Sequence, residues 1–257
     1  MAVLAQDAET ESGPWPELKK PDVSDATSLK IIGLHLKARG GEANLARISS
    51  IRTSGELMEG QQDYRIESIH KSPDALILKS TRTHMGDDYV AVTATDGRVA
   101  WRQELTPKRK NPTPLSSNDR LAIETDAMLP FLFLEAVRSG HTFAYRGEEK
   151  YGGNKTYVLH VWLKNGQEIE AMFDATSFHV INYRQSYRIG SRDTIVDRTP
   201  VGMNKIDGTW WDSGYDYRIM GKTFRKVRYK SISPTAAPKP DAFQQPPSRE
   251  RWLKKAS

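Results

Sequence analysis

Apolar residues recur along this chain with two different periods, and the change of period marks the predicted elements. The stretch LKIIGLHLKARGG, from Leu29, carries an apolar stripe at helical spacing and ends in the stop signal Gly40-Gly41. From Ile48 the period changes to two, and five short runs alternate apolar and polar residues as far as about residue 105. Because the links are short and Asp96-Gly97 favours a tight hairpin, we expect an antiparallel meander.

The second half of the chain also passes from helices to strands. The runs DRLAIETDA and MLPFLFLEAVRSG predict two helices, with Pro130 in the first turn of the second. Six strand-like runs follow up to residue 233, with turns at Asn165-Gly166 and Asp207-Gly208 and a long link, VDRTPVGMNKID. We therefore predict a mainly β (α+β) fold with one large curved antiparallel sheet of about 11 strands, because flat sheets of that size tend to curl.

One stretch, AMLPFLFLEAV at residues 127–137, is almost wholly apolar, and we refer to it as the apolar segment. It is too short to span a bilayer, which takes roughly 20 apolar residues. On a helix its large side chains would cover most of the circumference, so it needs apolar surroundings on several sides. It fits a plug in the mouth of a curved sheet or a fully buried core helix. The two descriptions agree if the buried helix can move aside.

The strands each have one apolar face and one mixed or charged face, which is typical of a sheet with a dry and a wet side. In KTYVLHVWLK, for example, the alternation places Leu159 and Val161 on the same face. The candidate wall of an apolar interior consists of Ile51, Leu57, Tyr64, Ile66, Trp101, Leu159, Val161 and Phe173. The candidate lid residues are Leu129, Phe131, Leu132, Phe133 and Leu134.

Composition narrows the chemistry without identifying a ligand. The chain has 257 residues and no cysteine, which excludes disulfides, cysteine nucleophiles and lipid attachment to cysteine. The net charge of +6 suits anionic partners. Basic runs at 107–110 and 249–255 could contact phosphates or lipid head groups, or could be solvated loop and tail. Because we find no metal-ligand, nucleophile-elbow or phosphate-loop motif, we expect no cofactor, no metal and no enzymatic activity.

The two ends of the chain differ from its middle. We predict a flexible N-terminus at residues 1–28, a folded domain at 29–233 and a proline-rich basic tail at 234–257. Val3 and Ala5 stand where a signal-peptidase site has its small residues. The first residues therefore fit the remnant of a signal peptide, and an ordinary disordered N-terminus is the alternative.

Several phrases resemble the LolA-like superfamily, the bacterial outer-membrane lipoprotein-sorting proteins and their lipid-binding relatives. They are HLKARGGEANLARISSIRTSGEL, KSPDALILKS, TATDGRVAWRQ, NGQEIEAMFDATSFHVINYR and KIDGTWW, and the resemblance covers residues 29–233. It implies an unclosed antiparallel β-barrel whose helices form a lid over a hydrophobic cavity that binds acyl chains in the periplasm. It also implies a strand arginine that helps to hold the lid, for which Arg52, Arg65 and Arg82 are candidates.

Two functional hypotheses follow from these observations. The first is a periplasmic or otherwise exported bacterial carrier, a monomer that binds acyl chains of lipids or lipoproteins and meets membrane-associated envelope proteins, but not nucleic acid. The second is an envelope protein-interaction or sensor module with the same fold and no transported ligand. A pocket beside Phe131 and Phe133 would favour the first hypothesis, and a solid core there would favour the second.

Overall fold

The structure, a computed structural model, describes residues 18–105, 110–134, 139–189, 192–234, 237–239 and 241–247. The first half contains α1 (Ala26–Ala38), α2 (Glu42–Leu45), β1 (Ser50–Glu59), β2 (Gln62–Lys71), β3 (Ala75–His84), β4 (Asp87–Thr95), β5 (Ala100–Glu104), β6 (Thr113–Pro114), α3 (Ser117–Met128) and a 3-10 turn (Leu129–Phe131). The second half contains β7 (Thr142–Tyr151), β8 (Asn154–Trp162), β9 (Glu168–Asp174), β10 (Val180–Ile189), β11 (Arg192–Pro200), β12 (Met203–Ile206), β13 (Thr209–Asp212), β14 (Gly214–Ile219) and β15 (Lys222–Ser233).

Thirteen of these strands form one antiparallel sheet, in the order β6-β5-β4-β3-β2-β1-β15-β14-β11-β10-β9-β8-β7. Strands β12 and β13 form a separate hairpin. Pairing of β1 with β15 joins the two meanders into one surface. The end strands β6 and β7 are not paired with each other, so the curved sheet stays open. The predicted fold class is confirmed, with more strands than expected.

Helix α1 lies where the apolar stripe predicts it, and it begins at Ala26, slightly before the expected start of the folded domain. The Asp25 carboxylate accepts a hydrogen bond from the Ser28 N–H at 2.9 Å. It accepts another from the Tyr145 N–H of β7 at 2.7 Å. One side chain therefore caps the helix and also satisfies a donor on the edge strand of the sheet.

The β12–β13 hairpin packs against the C-terminal end of α1. Gly40 has a φ of +118°, and a Cβ atom at this residue would lie 2.4 Å from the Gly208 carbonyl oxygen. Arg39 Nε donates a hydrogen bond to the Trp210 carbonyl at 3.2 Å, and its guanidinium lies 4.6 Å from the Trp211 ring centre. The predicted glycine stop is confirmed, and it also lets the hairpin approach the helix closely.

Helix α3 crosses the face of the sheet and leads into the apolar segment. It packs against β3, β4 and β5 and also reaches β10 in the other half. The helix ends at Met128, and a 3-10 turn with Pro130 follows it. Pro130 lacks the N–H that would continue α3. The described residues from 129 to 134 form only the 3-10 turn and the turn after it, so the prediction of a second helix is wrong there. The rest of that prediction lies outside the described residues.

Three strands are absent from the sequence prediction. The stretch predicted as a long link contains the end of β11 and all of β12, and β6 lies in the predicted loop before α3. In addition, the run TWWDSGYDYRIM is divided at Ser213 into β13 and β14. Strand β11 was missed because charged residues such as Asp197 and Arg198 interrupt its apolar pattern.

The proline-rich tail is partly packed, where its composition predicts an extended and poorly folded segment. Phe243 is 4 % exposed, and its carbonyl accepts a hydrogen bond from the Trp101 indole N–H at 3.1 Å. The described part of the tail therefore covers β5, and the prediction is wrong at Phe243.

Candidate functional site

One face of the sheet, which we call the inner face, carries the helices. Directly paired residues of antiparallel strands lie on the same face, and the uninterrupted register from β1 to β5 places Ile51, Leu76 and Ala100 together. Leu76 and Ala100 pack in a cluster with Ala127 of α3. Trp101 belongs to the neighbouring row and faces outwards. Its assignment to the inner wall is wrong because the tail, which the strand pattern does not reveal, buries the outer face here.

The apolar segment fills the larger part of the inner face. Leu129, Phe131, Leu132 and Phe133 are between 1 % and 4 % exposed. They form one core cluster with α1 and strands β7–β10, and Leu134 packs against its edge. This cluster also contains the predicted wall residues Ile51, Leu159, Val161 and Phe173. The structure thus brings these wall residues and all the predicted lid residues into one continuous core.

Phe133 lies at the centre of a group of rings in this core. Its ring centre is 5.1 Å from that of Phe173, 6.1 Å from Phe143 and 5.0 Å from His35. His35 Nδ1 is 2.8 Å from the Phe178 carbonyl oxygen. Burial lowers the pKa of His35 to about 3, so its ring is neutral and compatible with apolar neighbours.

A second apolar cluster continues along the inner face. Its buried members are Ile66, Val196, Tyr217 and Val227, and the predicted wall residues Leu57 and Tyr64 pack around them while staying partly exposed. None of its members belongs to the described part of the apolar segment. The predicted wall is therefore divided between a region that packs against the apolar segment and a region that does not.

A small cavity borders both clusters. It is lined by the apolar residues Ile51, Leu129, Pro130 and Ile232 and by the polar or aromatic residues Arg39, Thr53, His70, Tyr183, Arg198, Trp211, Asp212, Tyr215 and Tyr229. Its volume is about 40 Å³, a few times the roughly 10–15 Å³ that a cavity needs to hold one water molecule. It could therefore hold a small polar group but no acyl chain. Phe131 and Phe133 do not line it, and both are buried in the core.

A buried ion pair joins β11 to α3 at this cavity. Arg198 Nη1 lies 2.6 Å from Asp126 Oδ1, and the two side chains are 5 % and 31 % exposed. The guanidinium also lies 3.9 Å from the Tyr215 ring centre and 5.4 Å from that of Tyr217. Burial acts to lower the pKa of Arg198, but Tyr217 and Asp126 outweigh it and raise the pKa above its ordinary value. The guanidinium therefore stays charged.

His70 lies at the same end of α3. The Ala127 backbone acts to raise its pKa, but burial outweighs this effect and lowers the pKa to about 3. The ring is therefore neutral. His70 and Arg198 thus both lie against the last turn of α3, immediately before the apolar segment.

The arginines singled out from the sequence lie elsewhere. Arg52 is exposed on the outer face, Arg65 pairs with Asp88 at 3.0 Å, and Arg82 lies 5.5 Å from the Tyr89 ring centre. Arg198 is instead the strand arginine that contacts α3. Sequence reasoning missed it because its strand was interpreted as a link, although its two-residue spacing from buried Val196 is a signal that could have identified it.

Comparison with solved structures identifies the fold. A domain from Vibrio parahaemolyticus named as an outer membrane lipoprotein-sorting protein superposes with a TM-score of 0.53 at 12 % identity, covering 90 % of this chain and 97 % of that one. A DUF1329 family protein from Desulfovibrio piger gives 0.59 at 10 % identity, covering 84 % and 97 %. The LolA superfamily protein NE2245 from Nitrosomonas europaea gives 0.57 at 13 % identity, also covering 84 % and 97 %.

The chain therefore has a LolA-like fold, as its sequence phrases suggest. At these identities the likeness establishes the fold alone. No protein-family model and no curated protein sequence matches the chain.

The described residues offer apolar burial beside one buried charge pair. Within them, no group of three or more His, Asp or Glu side chains could hold a metal ion. In the same ranges, no helix is long and apolar enough to cross a membrane.

Proposed function

We propose that this protein binds acyl chains of lipids or lipoproteins on the inner face of its sheet and carries them outside the cytoplasm. The fold, shared with a protein named for lipoprotein sorting, supports this class of activity. The observation that carries the proposal is the seating of the apolar segment, whose buried side chains occupy the hollow of an open sheet. In the proposal, this segment acts as a lid that moves aside when an acyl chain enters.

The local structure of the apolar segment supports movement. After α3 ends at Met128, the described residues form one 3-10 turn closed by a long hydrogen bond of 3.4 Å from the Leu132 N–H to the Leu129 carbonyl. Side-chain packing therefore holds the segment more than backbone hydrogen bonds do. Such packing can be exchanged for packing against a ligand of similar chemistry.

The energies of the two occupants are of similar size. Displacing Leu129, Phe131, Leu132 and Phe133 costs about 1.5–3 kcal/mol for each side chain, or roughly 6–12 kcal/mol in all. A saturated chain of about 16 carbons recovers roughly 12 kcal/mol, at about 0.8 kcal/mol per CH₂ group. A near balance of this kind permits both loading and release.

The acyl chain would extend from the cluster that contains the apolar segment into the second cluster. The proposed contacts are Ile51, Leu159, Val161 and Phe173 in the first cluster, and Leu57, Tyr64 and Ile66 in the second. The existing cavity of about 40 Å³ is too small for an acyl chain, so binding requires displacement of the lid. Trp101 is not part of this proposal because it lies on the outer face.

Native mass spectrometry of the protein purified under mild conditions tests the proposal, with co-purified lipid as the expected result. Titration with an acyl chain then tests the proposed wall. Leu57→Asn should weaken binding about tenfold or more because it adds an amide to the apolar inner face. Met58→Asn is the matched control, since Met58 is the next residue on the same strand and points to the other face. Equal effects of the two substitutions would contradict the proposed wall.

Shortening one lid side chain should change acyl affinity in the opposite direction. Phe133→Ala removes a side chain that competes with the ligand, so acyl binding should become tighter while the free energy of unfolding falls by about 3–5 kcal/mol. A variant that folds, loses stability and gains no affinity would contradict a movable lid.

The second candidate is an envelope protein-interaction or sensor module with a permanently filled interior. The burial of Phe131 and Phe133 and the small volume of the nearby cavity favour it. It predicts no co-purified lipid, and no effect of Leu57→Asn or Phe133→Ala on acyl binding. Native mass spectrometry and the acyl-chain titrations therefore decide between the candidates.

A further inference from the structure

The charged side chains at the cavity have different partners. Arg39 and Arg198 line it together with Asp212, and Asp126 reaches Arg198 from α3. Asp212 accepts a hydrogen bond from the Tyr215 hydroxyl at 2.7 Å. Arg39 also stabilises the Asp212 carboxylate electrostatically, although burial raises its pKa overall. Asp212 thus interacts electrostatically with both Arg39 and Arg198, whereas the direct ion pair of Arg198 is with Asp126 of the helix that leads into the lid.

Arg198 has a hydrogen-bond donor that the closed state leaves unused. Its Nη1 bonds to Asp126, but its Nε is buried and has no hydrogen-bond partner among the described residues. The side chain is only 5 % exposed, so an unmade hydrogen bond from this cationic group is unfavourable. The guanidinium and the cavity that it borders therefore suit an acceptor oxygen.

Lid movement has a consequence for this pair. Asp126 lies in the last turn of α3, close to the residues that would be displaced, so opening would draw its carboxylate away from Arg198. A buried guanidinium without a counterion is strongly disfavoured. A purely apolar ligand could fill the hollow but could not replace that counterion.

We propose, on the basis of the function proposed above, that the protein selects acyl chains that end in a carboxylate, as fatty acids do. The ligand carboxylate binds Arg198 in place of Asp126 and also accepts from Nε, and the chain extends over the two apolar clusters. The cavity of about 40 Å³ matches one small oxygen-bearing group, and the group it replaces is itself a carboxylate. Nothing comparable stabilises a neutral head group at Arg198.

Isothermal titration of the full chain at neutral pH with dodecanoate and with dodecanol tests the inference without any variant. We expect dodecanoate to bind roughly 10- to 100-fold more tightly, the range expected for hydrogen bonds to a charged group. Acetate is the third ligand, and it should bind far more weakly than dodecanoate because it lacks the chain. Acetate binding as tight as dodecanoate binding would overturn the assignment to a fatty acid.

Variants locate the selectivity. Arg198→Met should bring the ratio of the two dissociation constants close to one. Asp126→Asn should tighten dodecanoate binding about tenfold or more, because it removes the competing carboxylate. Arg65→Gln, a change to an exposed ion pair on the outer face, is the control and should leave the ratio unchanged.

The outcomes separate this inference from the proposed function. If dodecanoate and dodecanol bind equally well to the unaltered protein, the carboxylate site is wrong and the acyl-binding proposal stands. If dodecanoate is preferred but folded Arg198→Met keeps the preference, the assignment to Arg198 is wrong. If neither ligand binds, the acyl-binding proposal itself fails, and this inference fails with it.

Discussion

The ion pair between Arg198 and Asp126 predicts an unequal response to removal of its two members. Asp126→Asn leaves a guanidinium that is 5 % exposed without its counterion, and breaking a buried pair in this way costs about 3–5 kcal/mol. Arg198→Met instead leaves the Asp126 carboxylate, which is 31 % exposed and can be hydrated. The cost of Arg198→Met, about 1–2 kcal/mol, comes mainly from the lost contacts of the guanidinium with Asp126 and with the tyrosine rings.

The double variant makes the prediction sharp. With Arg198→Met in place, Asp126→Asn no longer strands a buried charge, so the double variant should be more stable than Asp126→Asn alone by about 2 kcal/mol. Equilibrium urea unfolding followed by tryptophan fluorescence and circular dichroism measures all four free energies of unfolding. A double variant less stable than Asp126→Asn, or an Asp126→Asn protein as stable as the unaltered one, would refute this reasoning.

Three further predictions concern other parts of the fold. Gly40→Ala should lower the free energy of unfolding by about 2–4 kcal/mol, because its Cβ would meet the Gly208 carbonyl and its φ is positive. Phe243→Ala should lower it by about 2 kcal/mol in urea unfolding, because it removes a buried ring that anchors the tail. Loosening of the tail should expose Trp101, whose indole N–H bonds to the Phe243 carbonyl, and shift tryptophan emission to the red. His35, whose pKa burial lowers to about 3, remains neutral in the folded state while the unfolded state binds a proton near pH 6.5. The contribution of His35 to the free energy of unfolding is therefore fully present above pH 6.5 and is lost as the pH falls towards 3. Between pH 7 and pH 5 the loss is about 2 kcal/mol, and His35→Gln should remove it.

Each of these predictions has a matched control. Gly41→Ala isolates the effect of a positive φ, because no atom lies within 4 Å of the added Cβ, and it should cost less than Gly40→Ala. Val23→Ala, at a side chain that is 77 % exposed, should leave both stability and emission unchanged. His84→Gln, at an exposed turn-side residue, should keep the pH dependence of the unaltered protein. If a control variant changes as much as the test variant that it matches, the corresponding argument is contradicted.

The sequence predicts those parts of the fold that depend on local patterns. The apolar stripe and Gly40-Gly41 predict α1 and its end, and the Asp-Gly and Asn-Gly pairs predict hairpins whose glycines have positive φ. Two-residue alternation also separates the faces of β1, β2 and β8, so most of the proposed wall lies on the inner face. The high apolar content of the segment at 127–137 predicts burial on several sides, which is confirmed for Leu129, Phe131, Leu132 and Phe133.

What the sequence does not predict depends on distant contacts. Trp101 looks like a wall residue because nothing local reveals that Phe243, far along the chain, covers the outer face. Arg198 looks like a solvated loop residue because its counterion, Asp126, lies on a helix from the other half of the chain. The cavity likewise arises only when β11, the 3-10 turn after α3 and the β12–β13 hairpin are brought together.

Amide hydrogen exchange before and after addition of dodecanoate tests most directly whether the apolar segment is a lid. If an acyl chain replaces the segment on the inner face, the amides of residues 129–134 should exchange at least about tenfold faster in the complex, while those of β8 and β9 stay protected. If saturating dodecanoate leaves amide exchange in residues 129–134 unchanged or slows it, the account is contradicted, because the segment is then a fixed part of the core.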